Sequence, residues 1–279
     1  EMCGRDWSSD VCSSDLIKSY NRIINDVGVL KRFTGKCFKL THINKKLNTD
    51  AIQNRKHTEK GTAGNDGKLL DNMRRTKERI FALAMCKPWE WFVTLTLSPE
   101  KYDRRDLGKF RRDLSQTIRD YRKKTGNNVK YLLIPERHKD GCWHMHGFFS
   151  GLPESELHAF SLEEKLPTRI LARILSGNQV YTWKIYAEKF GYTSIERVKD
   201  PEAVSRYILK YVTKESMSTI TELNAHAYYA SKGLAGAETV ACDLMLRAID
   251  NPDFFNEFCA VKWYDNRNEP ESYFTEATE

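Results

Sequence analysis

Residues Val129–Phe149 read VKYLLIPERHKDGCWHMHGFF, and this stretch decides the fold. Two runs rich in apolar, β-branched and aromatic residues flank Lys139-Asp140-Gly141, which is the pattern of a β-hairpin. A two-residue turn would send Glu136 to the wrong face of the hairpin. A three-residue loop, with Gly141 in the left-handed conformation, places His144 opposite Glu136 and His146 opposite Ile134. The sequence therefore predicts the three-residue loop.

This register would collect metal ligands. His144 and His146 are two residues apart on a strand, so both side chains leave the same face. A His-x-His pair alone is usually structural or merely exposed, but Glu136 adds a third donor on that face. A mixed nitrogen and oxygen site with open positions favours Mn²⁺ or Mg²⁺ over a closed zinc site. His138 lies two residues from Glu136 and is an alternative ligand or a phosphate contact.

A second motif, VSRYILKYVTKE, occupies residues 204–215. In one continuous helix, Tyr207, Lys210, Tyr211 and Lys214 would share a face, because positions i, i+3, i+4 and i+7 align. Such a tyrosine pair is by default a packing pair, but lysines resist burial and the metal hairpin changes the balance. A phenol assisted by a cation and a metal-polarised phosphate can act as a nucleophile. Asp200-Pro201 predicts the start of this helix.

The remaining elements follow from periodicity and breakers. The predictions, in chain order, are a helix over Leu69–Cys86, a strand over Trp89–Ser98, a basic helix over Asp103–Lys124, a mostly helical stretch over Leu152–Leu175 broken at Pro167, and strands over Gln179–Trp183 and Thr193–Val198. This order indicates an antiparallel α+β sandwich, with one sheet face covered by helices and the other partly open.

The ends of the chain are less informative. Asp6–Leu16, DWSSDVCSSDL, resembles a translated sequencing-library adapter, so residues 1–16 are left out of the fold prediction. Residues 17–68 are predicted as a basic helical or loop region, with a polar loop or linker over Asn48–Lys68. Residues 69–236 would form the main domain, and 237–279 an acidic segment for solubility or interaction.

Charge is distributed unevenly around a net value of +7. Residues 17–130 hold 28 Lys and Arg against 12 Asp and Glu, whereas residues 238–279 hold 3 against 10. A basic half fits a polyanionic partner such as nucleic acid. No run of about eighteen apolar residues indicates a membrane span, and the cysteines are scattered without a CxxC pair, which favours a reducing cytoplasm.

Three segments, FVTLTL, ERHKDGCWHMHGF and YILKYVTKE, occur in this order and resemble the three motifs of HUH-type rolling-circle replication initiators. The wider likeness, which includes YYASKGL at 228–234, is to replication proteins of microviruses and filamentous phages and spans Leu69–Gly236. The resemblance implies an HUH endonuclease fold, an antiparallel central sheet with helices of the RRM or ferredoxin-like type.

It also implies a mechanism and partners. Glu136, His144 and His146 would bind the metal, and Tyr207 would attack a phosphate of single-stranded or stem-loop origin DNA. The products would be a 5′-phosphotyrosyl enzyme and a 3′-OH primer, with Tyr211 serving a second strand transfer. Which tyrosine acts first stays open. Host helicase and polymerase would assist, in the cytoplasm of a bacterial host.

Further DNA contacts are expected from side chains near these motifs. The candidates are Thr94, Thr96, His138, Arg104, Arg105, Arg111 and Arg112. An ordinary β-branched strand and a solvated basic helix would give the same pattern. Two other functions remain open: an HUH transposase with the same chemistry, and a non-catalytic nucleic-acid-binding module, which would leave Tyr207 buried or far from His144.

Overall fold

The computed structural model describes residues 26–34, 37–43, 66–222, 225–256 and 259–274. The chain divides into two compact units, a central unit, Thr58–Ala235, and a terminal unit that combines Glu1–His57 with Gly236–Glu279. The α+β class that the sequence predicts is confirmed, since antiparallel sheets and helices make up the described residues.

Strands and helices are numbered in chain order. The strands are β1 (Val27–Thr34), β2 (Cys37–Ile43), β3 (Trp91–Leu97), β4 (Lys130–Arg137), β5 (Trp143–Ser150), β6 (Leu157–Ala159), β7 (Tyr181–Trp183), β8 (Gly191–Arg197), β9 (Tyr229–Ala230), β10 (Glu238–Leu244), β11 (Phe254–Phe255) and β12 (Cys259–Tyr264). The helices are α1 (Asp66–Met85), α2 (Leu107–Thr125), α3 (Thr168–Leu175), α4 (Lys184–Lys189), α5 (Pro201–Tyr207), α6 (Lys214–Glu222) and α7 (Asn268–Glu271), with 3₁₀ turns at Glu154–Glu156 and Ile208–Tyr211.

The central unit is built on a sheet in the order β6-β7-β8-β3-β5-β4-β9. Side chains of β3 alternate between buried and half-buried, as expected for a strand whose two faces differ. On one face, Trp91, Val93 and Leu95 pack with Phe110 and Leu114 of α2 in a single core cluster. The threonines of β3 project from the opposite face.

That opposite face is covered by helices over part of its area. Ile80 and Leu83 of α1 and Ile208 of the second 3₁₀ turn pack on Ile134 of β4 and Phe148 of β5. Because α1 was predicted from its basic outer face and apolar inner residues, its position confirms the interpretation of residues 69–86 as an amphipathic helix.

The terminal unit contains a sheet in the order β10-β1-β2-β12-β11. Its core includes Leu30 and Leu40 from β1 and β2 together with Tyr264 and Tyr273 from the C-terminal segment. The prediction of a helical or loop region for residues 17–68 was therefore wrong over β1 and β2. Residues 1–25 and 44–65, which include the adapter-like stretch and most of the polar loop, lie outside the described residues.

The stretch Leu152–Leu175 was also predicted incorrectly. Only Thr168–Leu175 is α-helical, directly after Pro167, while the preceding residues form a 3₁₀ turn and the edge strand β6. β6 pairs with β7, so Leu157 lies opposite Trp183 and is buried. This distant pairing overrides the local helical spacing.

Gly147 lies where β5 passes very close to β4. A Cβ atom at this position would lie 1.9 Å from the carbonyl oxygen of Leu132, a backbone atom that cannot move without disrupting the sheet. We expect Gly147→Ala to lower the free energy of unfolding by about 3 kcal/mol or more. Gly108→Ala in the first turn of α2 is the matched control, because its new Cβ would meet only the movable end of Arg112 and a carboxylate oxygen of Asp106. Urea unfolding of both variants checks this, and equal midpoints would contradict it.

No helix among the described residues is both long and apolar enough to cross a lipid bilayer.

Candidate active site

The hairpin between β4 and β5 has the predicted three-residue loop. The His138 amide donates to the Cys142 carbonyl at 2.8 Å, and Gly141 is left-handed, with a φ of 84°. Glu136 lies opposite His144 and Ile134 opposite His146. The predicted register is therefore confirmed, and the carboxylate and both imidazoles project from one face.

Threonines of β3 hold both imidazoles in place. The hydroxyl of Thr94 is 3.1 Å from Nδ1 of His146, and that of Thr96 is 3.1 Å from Nδ1 of His144. A partner on Nδ1 leaves Nε2 of each ring as the donor atom for a metal. These hydroxyls thus orient the histidines, which differs from the direct DNA contacts that the sequence predicted for them.

The electrostatics keep the two histidines neutral. Burial, reinforced by the other histidines, lowers the pKa of His144 to about 4. Burial also lowers the pKa of His146. The hydrogen bond from His146 lowers the pKa of Glu136. At neutral pH the group is therefore two neutral imidazoles and one carboxylate, the protonation state in which these side chains bind a metal.

The donor set fits a divalent cation in part. Nε2 of His146 is 2.8 Å from Oε2 of Glu136, close to the separation of about 3 Å for adjacent ligands that each lie about 2.1 Å from an octahedral ion. His144 stacks on His138 at 4.1 Å, and Nε2 of His138 is 3.8 Å from the same Glu136 oxygen. Within the described ranges, no three His, Cys, Asp or Glu side chains already form a closed metal site, so binding would draw these side chains together.

Tyr207 and Tyr211 differ sharply in environment. The Tyr207 side chain is 43% exposed, whereas Tyr211 is 6% exposed and stacks face to face on His146 with ring centroids 3.8 Å apart. The two phenol rings meet edge to face at 6.0 Å. Tyr207 is therefore available to a ligand, while Tyr211 covers the histidine.

Lys210 connects the two phenols. Its ammonium donates a hydrogen bond to the Tyr207 hydroxyl and lies 4.8 Å from the Tyr211 ring centroid. This hydrogen bond is the main reason that the pKa of Tyr207 is lowered. Burial raises the pKa of Tyr211 instead. Tyr207 is thus the phenol that ionises more easily, and the one that a cation already contacts.

The tyrosine motif is not one continuous helix. Asp200 caps α5 by accepting from the Ala203 amide, as predicted, but the chain continues as a 3₁₀ turn and leaves helical geometry at Val212. Thr213 and Ser216 exchange reciprocal side-chain-to-amide hydrogen bonds, the pattern of a capping box that starts a new helix.

Lys214 is the first residue of that new helix, α6. It therefore does not share a helix face with Tyr207 and Tyr211, and the prediction that placed it there was wrong. The three residues that the 3₁₀ turn does bring together are Tyr207, Lys210 and Tyr211.

The predicted arginine contacts separate into two pairs. Arg104 and Arg105 adjoin the hairpin loop and line a cavity of about 370 Å³, with Arg104 3.9 Å from the carboxylate of Asp140. Arg111 and Arg112 are on α2, which packs on the sheet face opposite the histidines. The structure thus brings Arg104 and Arg105 close to the site, and not the other two.

Sequence reasoning missed Arg169 on α3. Four residues later, Arg173 forms an ion pair with Glu196 on the histidine face of β8, which positions this side of α3 beside the site. The pKa of Tyr207, lowered first by Lys210, is also lowered by Arg169, whose charge acts on His146 and Tyr211 as well. Spacing marks Arg169 and Arg173 as one helix face, but only the fold shows what that face meets.

Comparison with known proteins agrees with this site. Residues 90–216 match a family of replication-associated proteins, described as the ORF2 type, and the matched segment covers a little under half of the chain. It includes β3, the hairpin and both tyrosines. This match supports a protein of the replication-initiator type. Comparisons with curated proteins and with solved structures give no match.

Proposed function

We propose that the central unit is a metal-dependent endonuclease that nicks single-stranded origin DNA and holds the cut strand on Tyr207, as a rolling-circle replication initiator of the HUH type. The observation that carries the proposal is the exposed Tyr207 phenol, hydrogen-bonded by Lys210 and adjoining Tyr211, which itself stacks on His146. A nucleophile, its cation and candidate metal ligands thus lie within one small area.

The proposed reaction assigns each step to a side chain. Lys210 stabilises the Tyr207 phenolate after its proton passes to solvent. The phenolate oxygen forms a bond to phosphorus while the bond from phosphorus to the 3′ oxygen breaks, and that oxygen gains a proton to become a 3′-OH. A Mn²⁺ or Mg²⁺ ion held by Glu136, His144 and His146 would polarise the phosphate. Tyr211 would accept the strand in a second transfer, once its hydroxyl becomes accessible.

The alternatives are less well supported. A non-catalytic nucleic-acid-binding module would leave Tyr207 buried or remote from the histidines, which is not its environment. The replication-associated match favours replication over transposition. Under this proposal a host polymerase extends the 3′-OH and a host helicase opens the duplex, in the cytoplasm of a bacterial host.

The test is covalent capture. The protein is incubated with Mn²⁺ and stem-loop oligonucleotides whose loops are randomised, one pool labelled at the 3′ end and one at the 5′ end. Only the 3′ label should migrate with the protein on a denaturing gel, because Tyr207 keeps the 5′-phosphate of the downstream fragment. The proposal fails if the wild type gives no adduct, or if a Tyr207→Phe, Tyr211→Phe double variant gives an undiminished one.

Lys210→Met is expected to make adduct formation depend more steeply on alkaline pH. Lys210 lowers the pKa of Tyr207, so its loss raises that pKa and shrinks the phenolate fraction below it. The rate near neutral pH should fall about tenfold for each unit of increase, and the deficit should narrow as the pH approaches the new value. Single-turnover rates from about pH 6 to about pH 10 measure this. A uniform loss at every pH would show that Lys210 acts otherwise, and Lys214→Met is the matched control.

A further inference from the structure

Tyr192 is an exposed aromatic side chain on the histidine face of the central sheet. In β8 the buried residues Thr193 and Ile195 belong to the other face, so Tyr192 projects from the face of Ser194 and Glu196. Thr96 of β3 lies opposite Tyr192 on one side and opposite His144 on the other. Tyr192 and His144 therefore occupy one row across the sheet, two strand spacings or about 10 Å apart.

No packing role accounts for this ring. Its side chain is 62% exposed, and among the described residues it belongs to none of the core clusters and has no ring or hydrogen-bond partner. The other large aromatics of this face, Phe92 and Phe148, instead lie in the core with α1. An exposed tyrosine that contributes little to folding is free to contact a ligand on the sheet.

The position of the ring specifies the ligand. A flat apolar face on an open sheet stacks on a nucleobase, and every base offers such a face. A phosphate between Tyr207 and the histidines would have its neighbouring nucleotide about one row length away, within reach of Tyr192. A protein side chain in the same place would need the row to be apolar, but Thr96 and His144 are polar and bonded to each other.

We propose that Tyr192 is a base-stacking residue, which holds one nucleobase of single-stranded DNA beside the reacting phosphate. The assignment rests on the proposed function for the identity of the DNA strand. It adds a binding subsite on β8, which lies outside all three sequence motifs.

Binding without cleavage tests the inference. In a Tyr207→Phe, Tyr211→Phe background, the probe is a twelve-residue oligothymidylate carrying a single 2-aminopurine, and anisotropy reports affinity. Tyr192→Ala should weaken binding about 5- to 150-fold and remove the quenching of 2-aminopurine that stacking causes. Tyr192→Phe and Tyr192→Trp should stay within about threefold of the parent, while Tyr192→Leu, apolar but not aromatic, should behave like Tyr192→Ala.

The outcomes separate this inference from the proposed function. An unchanged affinity in Tyr192→Ala, or full binding by Tyr192→Leu, overturns the stacking role even if the wild type forms covalent adducts. Conversely, a ring-dependent affinity in a protein that never forms an adduct supports the subsite and rejects the endonuclease. Circular dichroism of each variant confirms that the loss does not come from unfolding.

Discussion

Tyr207→Phe is expected to abolish covalent attachment of DNA, lowering the single-turnover rate of cleavage by about 10⁴-fold or more. The phenylalanine keeps the edge-to-face contact with Tyr211 and removes only the hydroxyl that Lys210 contacts. Tyr211→Phe should keep the first cleavage within about tenfold of wild type, because the Tyr211 hydroxyl is buried and its pKa is raised by that burial.

The measurement uses the 3′-labelled oligonucleotide, quenched in detergent at times from seconds to hours. Strand joining in a second reaction, with a preformed adduct and an added 3′-OH oligonucleotide, separates the two transfers. If Tyr211→Phe loses the first cleavage and Tyr207→Phe retains it, the exposed phenol is not the nucleophile. That result would require Tyr211 to leave its stack on His146 before any chemistry.

The second large effect concerns the metal. Glu136→Gln and His146→Ala are expected to weaken Mn²⁺ binding by about 100-fold or more, because each removes a donor from a set of three. His138→Ala should weaken it by less than about tenfold, since its ring lies 3.8 Å from Glu136 and stacks on His144. Mn²⁺ electron paramagnetic resonance measures free ion directly and does not depend on turnover.

His158→Ala is the matched control for these variants. His158 is exposed and hydrogen-bonds to Glu164 on a different part of the surface, so its loss should not alter Mn²⁺ binding. If His138→Ala instead costs as much as His146→Ala, while Glu136→Gln costs little, the third ligand is His138. Equal affinities in all variants would mean that the ion binds elsewhere.

The hairpin could be predicted from sequence because every determinant is local. The loop length, the left-handed glycine and the period-two alternation together fix which residues face each other. One register error would have separated Glu136 from His144, so the candidate metal group followed from Gly141 and its neighbours alone. The start of α5 was predictable for the same reason, since Asp200 and Pro201 act on their own helix turn.

Other features depend on distant parts of the chain or on competing local signals. β2 carries a clear alternation, with Phe38, Leu40 and His42 buried, but it is short and its partner β12 lies more than about 200 residues later in the sequence. The break before α6 was encoded locally by Thr213 and Ser216, yet the i, i+3, i+4 spacing of the tyrosines gave the stronger apparent signal. Arg169 and Tyr192 gained meaning only when the fold placed them beside the histidines.

The sheet of the terminal unit has a consequence for the order in which the protein folds during translation. β2 has β1 on one side and β12 on the other, and β1 in turn requires β10. The ribosome completes the whole central unit before either C-terminal strand exists. A β1–β2 hairpin must therefore wait with both edges unpaired, the state most prone to association with other chains. Chaperone dependence during synthesis should thus arise from the first strands made, although their pairing is the last to be completed.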